Sequence, residues 1–185
     1  MNTIDYIYKF ICSILCMKKP CAVIDTSFWV HLVYLDIDNY LIKYFNIYFP
    51  NKVKSEILYF KHFDYFYKST DISVFERLLQ ANQLTIKDPK QLIDSSELQK
   101  DSGEHHLISL AKENSYGVFI DDGIPYDLCS KMNILRMNSV DFIIFLYIKK
   151  EITKEKGIEL MIKLSHKIKQ KYIEEGIKFI NNIKR

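Results

Sequence analysis

A chain of 185 residues with 48% apolar and 26% charged residues has the make-up of a single globular domain with a full core. No run of eighteen apolar residues occurs, which argues against a membrane-spanning helix. Net charge is +3 but uneven: residues 149–185 hold eleven Lys/Arg against five Glu, a net of +6, so the rest carries −3. A basic C-terminal segment on an acidic body suits a polyanion approaching a metal-loaded site, although a solvated helix face accounts for the same lysines.

The first residues are partly apolar (Ile4, Tyr6, Ile7, Phe10, Ile11, Ile14, Leu15). Asp5 precedes that part, Lys9 interrupts it and no small-residue cleavage site follows, so a secretory signal is not expected. The stretch reads as a short helix packed on the domain, or as residues ahead of a start at Met17. Cys12, Cys16, Cys21 and Cys129 form no Cys-x-x-Cys pair and no zinc-like quartet, which points to free thiols in a reducing cytoplasm.

Ala22-Val23-Ile24 reads as a buried strand ended by Asp25. Thr26 and Ser27 are helix-capping types, and an amphipathic run (Phe28, Trp29, Leu32, Val33, Leu35) follows. Tyr40, Leu41, Tyr44 and Phe45 complete a helical hairpin, with Asn46 as its cap. Ile47-Tyr48-Phe49 is a second strand ended by Pro50. Asn51 caps the next helix, which carries Val53, Glu56, Ile57, Leu58 and Phe60. The aromatic run Tyr59 to Tyr67 fits either a helix end with a loop or a partner surface. Ile72 to Leu79 is helical by period, Leu84-Thr85-Ile86 is a third strand, and residues 87–100 form a polar loop.

A helix from about Ser102 to Asn114 buries Leu107, Ile108, Leu110 and Ala111. Tyr116 to Ile120 is a fourth strand ended by Asp121-Asp122. A short helix spans Tyr126 to Lys131, and Ile134 to Met137 is a fifth strand. Ser139 caps a helix over Val140 to Lys149, and helices over about 153–168 and 170–182 close the chain. Alternation of strands and helices implies an α/β fold with a parallel sheet covered by helices on both faces.

Four acids recur at element ends: Asp25, Glu56, Glu104 and the Asp121-Asp122 pair. Ligands of open α/β sheets sit at the carboxyl ends of strands. Carboxylates brought together there raise one another's pKa, and a hard divalent cation relieves that repulsion. Magnesium or manganese in such a site activates water and steadies charge on a phosphodiester. Each acid alone is better explained as a helix cap or surface charge; the joint pattern carries the weight.

This pattern resembles the PIN-domain ribonucleases, whose small VapC-type members are toxins. Asp25-Thr26-Ser27 after an apolar strand looks like the first motif of that family, and Pro50-x-x-Val53-x-x-Glu56-Ile57 is similar to the second. Asp101-Ser102-Gly103-Glu104-x-x-x-Ile108-x-Leu110-Ala111 is the most specific match. Val118-Phe119-Ile120-Asp121-Asp122 resembles the fourth, and Asn138-Ser139 a polar position after the last strand. Leu107 stands where a small residue is usual, and Gly123-Ile124-Pro125 where a basic residue is common.

The resemblance implies a PIN-like three-layer fold with a five-stranded parallel sheet in the order 3-2-1-4-5. It divides the chain into an extension over 1–21, a nuclease domain over 22–168 and a basic helix over 169–185. It also implies a Mg2+- or Mn2+-dependent endoribonuclease acting on RNA, a homodimer, and a paired antitoxin protein. By this resemblance the catalytic acids are Asp25, Glu56, Glu104 and Asp121. Asp25 and Asp121, with Asp122 beside it, hold metal directly; Glu104 shares it or binds through water; Glu56 orients water or a second metal. Thr26, Ser27 and Ser139 are donors behind those ligands.

The alternative of another class is a non-catalytic PIN-like module that binds RNA or protein. His105-His106 is a weak transition-metal pair, since neighbouring helical residues point about 100° apart; surface histidines, or one near a substrate phosphate, fit better. No glycine-rich phosphate loop and no nucleophile elbow is present.

Overall fold

A computed structural model of the chain describes residues 19–59, 69–121 and 123–183. The N-terminal apolar stretch with Cys12, Cys16 and Met17, most of the aromatic run after Tyr59, and Asp122 lie outside the described residues. Among those described are five strands and nine helices. Strand β1 (Cys21–Ile24) leads to α1 (Thr26–Tyr34) and α2 (Asp38–Tyr44); β2 (Asn46–Phe49) to α3 (Asn51–Tyr59) and α4 (Ser69–Gln80). Then come β3 (Leu84–Ile86), α5 (Gly103–Asn114), β4 (Gly117–Phe119), α6 (Gly123–Lys131), β5 (Arg136–Met137), α7 (Ser139–Ile148), α8 (Lys154–Lys163) and α9 (Gln170–Asn182). No helix among the described residues is long and apolar enough to cross a membrane.

The five strands pair in parallel in the order β3-β2-β1-β4-β5, the order that the resemblance implies. Ala22, Val23 and Ile24 are fully buried. Successive strand residues face opposite sides, so both faces of the central strand are covered. Helix α1 is fixed by its aromatics. Trp29 meets Phe49 and Phe75 edge-on at 5.8 and 5.6 Å, and Phe28 lies 5.3 Å from Phe119 of β4.

Several element ends differ from the sequence reading, each for a local reason. Asn51 does not cap α3 with its own side chain; Asp88 accepts its backbone N–H at 2.8 Å and its amide at 2.6 Å. Asn46 opens β2 instead of ending α2. Helix α6 begins three residues earlier than Tyr126, because Pro125 falls in the first turn, where no N–H has an intrahelical acceptor. Asn138, not Ser139, caps α7: its side chain accepts from the Asp141 N–H while Asp141 accepts from the Asn138 N–H, a reciprocal capping box. Helix α8 ends at Lys163, short of 168, and Leu164 and Ile168 of the following turn are buried.

The chain forms two compact units, residues 19–137 with the whole sheet, and a unit holding residues 138–183. The division thus falls after β5. In the second unit α7 is buried along nearly its full length, and helices α8 and α9 approach closely through glycine. A Cβ at Gly176 would lie 2.5 Å from Val140 Cγ1, and one at Gly157 3.0 Å from Ile180 Cδ1.

Candidate functional site

The strand order reverses direction between β1 and β4. From β1 the chain builds outward through β2 to β3, then returns to the other side of β1 with β4 and β5. The carboxyl ends of β1 and β4 are therefore the topological switch point, the usual ligand crevice of a doubly wound sheet. Asp25 follows β1 directly, and its N–H extends the ladder to the Phe119 carbonyl at 2.9 Å. Asp121 stands two residues beyond the end of β4.

The first two turns of α1 supply donors to three of the acids. Asp25 is the N-cap of α1, its Oδ2 accepting the Ser27 N–H at 3.0 Å and the Ser27 hydroxyl. Thr26 Oγ1 donates to Glu56 Oε2 at 2.9 Å. One turn after Ser27, His31 Nδ1 meets Asp121 Oδ2 at 2.6 Å, with both side chains largely buried. Three chain segments are thus tied to one short helix.

Glu56 also rests on the start of α5. The Gly103 N–H donates to its carboxylate, and a Cβ at Gly103 would sit 2.4 Å from Glu56 Oε1. Only glycine lets that carboxylate lie so close to the helix N-terminus, where the backbone dipole favours negative charge. Helix α5 starts there because Ser102 caps it, accepting the His105 N–H at 3.2 Å.

The electrostatics bind the acids into one group. Burial raises the Asp25 carboxyl from 3.8 to about 7; the Ser27 hydrogen bonds oppose this, and Glu104 and Glu56 add to it. Burial also raises Glu56, against the Thr26 hydrogen bond and with the help of Glu104. Asp25, Glu56 and Glu104 therefore share one field, although they come from three separate segments. Asp121 follows β4, the strand paired with β1, and is held there by His31; Asp122 lies outside the described residues, and Ser139 opens α7 in the C-terminal unit.

No group of three or more His, Cys, Asp or Glu among the described residues is gathered as a ready ligand cage. The donor set is all oxygen, carries mutually repelling charge and is partly open. That fits magnesium or manganese, which bind through one or two carboxylates and complete their shell with water and substrate oxygens.

His105 and His106 diverge as helical geometry requires, but His105 is buried and not on the surface. Its Nδ1 accepts the Asp101 N–H at 3.2 Å and its Nε2 reaches the Ile93 carbonyl at 2.7 Å, which makes it a neutral imidazole protonated on Nε2. It pins the polar loop to α5, as does Ser109, which accepts the Ile93 N–H. His106 Nε2 pairs with Asp101, as does Lys52. The functional candidate missed in the sequence is His31. The signal is a titratable residue one turn after Ser27 in an otherwise apolar helix.

In comparisons with known proteins, no family model and no curated protein matches the chain.

Proposed function

We propose that the chain is a Mg2+- or Mn2+-dependent endoribonuclease of PIN-domain type that hydrolyses RNA phosphodiester bonds. The observation that carries this reading is the approach of Glu56 and Glu104, from two distant segments, to Asp25 at the switch point, where burial and these neighbours make the charges of Asp25 and Glu56 less favourable. A structural cap does not need that arrangement, whereas a divalent cation is stabilised by it. The strand order and the four motif segments agree with it.

In this reading Asp25 and Asp121 hold the metal, with Asp122 beside Asp121, and Glu104 shares it or binds through water. Glu56, restrained by Thr26 and Gly103, orients a water or a second ion. Ser27 fixes the Asp25 carboxylate, and Thr26 fixes that of Glu56. A bound Mg2+ or Mn2+ would supply an activated water and neutralise charge on the phosphodiester.

The test is purified full-length protein incubated with structured and single-stranded RNA, with Mg2+ or with EDTA. Cleavage that needs the metal and disappears in Asp25→Asn is expected; cleavage by Asp25→Asn equal to the parent would overturn the assignment. A non-catalytic module that binds RNA or protein is the second reading, favoured by the hydrogen bonds that already occupy Glu56 and Asp121. Binding of RNA without cleavage in either metal would select it. The toxin arrangement adds an antitoxin partner and a homodimer; a small adjacent reading frame encoding a DNA-binding protein tests the first, and sedimentation the second.

A further inference from the structure

We propose that His31 is a positioning residue of this site, its Nδ1–H holding Asp121 Oδ2 and so setting the orientation in which that carboxylate meets the metal. The inference rests on the metal-site reading above and extends it to a residue that none of the acidic motifs contains.

Four observations support it. The contact is short, 2.6 Å, and is made between side chains only 11% and 4% exposed, so water competes little for either partner. A carboxylate only accepts, so the imidazole donates from Nδ1. The donor sits on a rigid platform, because Phe28, Trp29 and Leu32 of the same helix are fully buried. And it completes a pattern along α1: Ser27 holds Asp25, Thr26 holds Glu56, and His31, one turn beyond Ser27, holds Asp121. One helix thereby aligns carboxylates whose positions in the chain are 25, 56 and 121. Without His31, Asp121 would keep its place beyond β4 but lose this buried donor to Oδ2.

The imidazole is replaced in three ways in the full-length chain, and Mn2+ affinity is read from the electron paramagnetic resonance signal of free Mn2+, without RNA. His31→Asn places an amide N–H near the position of Nδ1 and keeps the donor. His31→Gln places it one bond farther out, near Nε2, and His31→Leu removes it. Circular dichroism and thermal melting show whether each variant is folded.

Affinity in His31→Asn is expected within about threefold of the parent, while His31→Gln and His31→Leu bind about 10–100-fold more weakly, the usual effect of removing a hydrogen bond to a metal ligand. A purely structural histidine would lower melting temperature in all three without this ordering of affinities. Parent-like Mn2+ binding in folded His31→Gln or His31→Leu would overturn the role of His31 and leave the site standing. A parent chain that binds no Mn2+ at millimolar concentration would overturn both.

Discussion

Helices α1 and α7 begin alike and differ in one charge. Asp25 and Asn138 are both extended N-caps, 5% and 4% exposed, and each side chain accepts a backbone N–H from the first turn. At α7 the cap is a neutral amide, and the partner acid, Asp141, is three residues away and closes a reciprocal box. At α1 the cap is a carboxyl raised to about 7 by burial, and the neighbouring acids come from 31 and 79 residues away. Asn and Asp cap helices equally well. The Ser27 hydrogen bonds and the helix N-terminus favour the charge at residue 25, but burial, with Glu104 and Glu56, outweighs them and leaves it unfavourable where it stands. Local satisfaction marks a structural cap, and a charge made unfavourable by burial and by acids from distant segments marks a site.

Asp25→Asn tests this contrast most strongly. Metal-dependent RNA cleavage should fall by at least about a hundredfold, since several kcal/mol of transition-state charge stabilisation go with the ligand. The control is Asn138→Ser, which keeps a capping side chain in α7 and should leave cleavage within about twofold. Comparable losses in both variants would erase the distinction between the two caps.

The same substitution should act oppositely on stability. In the folded, metal-free protein Asp25 keeps its proton up to about pH 7, whereas an unfolded Asp releases it near 3.8. Between those values the folded state binds the extra proton, so stability declines as pH rises, and Glu56 adds in the same direction. In EDTA at pH 8, Asp25→Asn should be more stable than the parent by roughly 1–3 kcal/mol. Mg2+ should stabilise the parent and not the variant, because only a ligand bound by the folded state shifts the melt. A parent whose metal-free stability is flat from pH 4 to 7 would show that Asp25 carries no strained charge.

Two glycines extend the comparison to packing. Alanine at 103 would drive its Cβ into the Glu56 carboxylate, the end of a flexible side chain that can swing aside. Alanine at 176 would meet Val140 Cγ1, a stiff branched group. Gly176→Ala should lower the melting temperature by about 3–6 °C, overpacking of about 1–3 kcal/mol being partly offset by better helix propensity. Gly103→Ala should melt within about 2 °C of the parent and lose about tenfold in cleavage, since Glu56 is displaced from its donors. A reversed pattern would mean that Glu56 is rigid and serves the fold.

These contrasts also explain what was legible in the sequence. The sheet was readable because three of its five strands are short apolar runs closed by an acid or a proline, at Asp25, Pro50 and Asp121. Asp25, Glu56 and Glu104 were readable because they sit at element ends, where periodicity breaks. His31 was not, because its partner is 90 residues away and a helical pattern treats it as one more polar slot. Asn138 lost to Ser139 as the cap although Asp141, three residues on, completes the box only for Asn138. His105 and His106 look alike in sequence; which one is buried depends on loop 87–100, where no periodicity guides a reading.

The smallest expected effect concerns the lysines of the C-terminal unit. Several are already neutralised within their own helices: Lys156 and Lys163 both reach Glu159, and Lys171 approaches Glu175 at 3.9 Å. Such exposed pairs contribute little to stability and leave the segment net positive. If the +6 segment contacts RNA, each phosphate it neutralises releases counterions, and affinity falls steeply with salt. Changing Lys167 and Lys169, which precede α9, and Lys171, in its first turn, together to Gln removes three charges, and at Lys171 helix propensity stays close to that of lysine. The slope of log affinity against log salt should then shallow by about 2 on single-stranded RNA, roughly 0.7 for each lost contact. Melting should hardly change. An unaltered slope, measured on a variant that remains folded, would assign these lysines to solvation of the surface and confine RNA contact to the sheet unit.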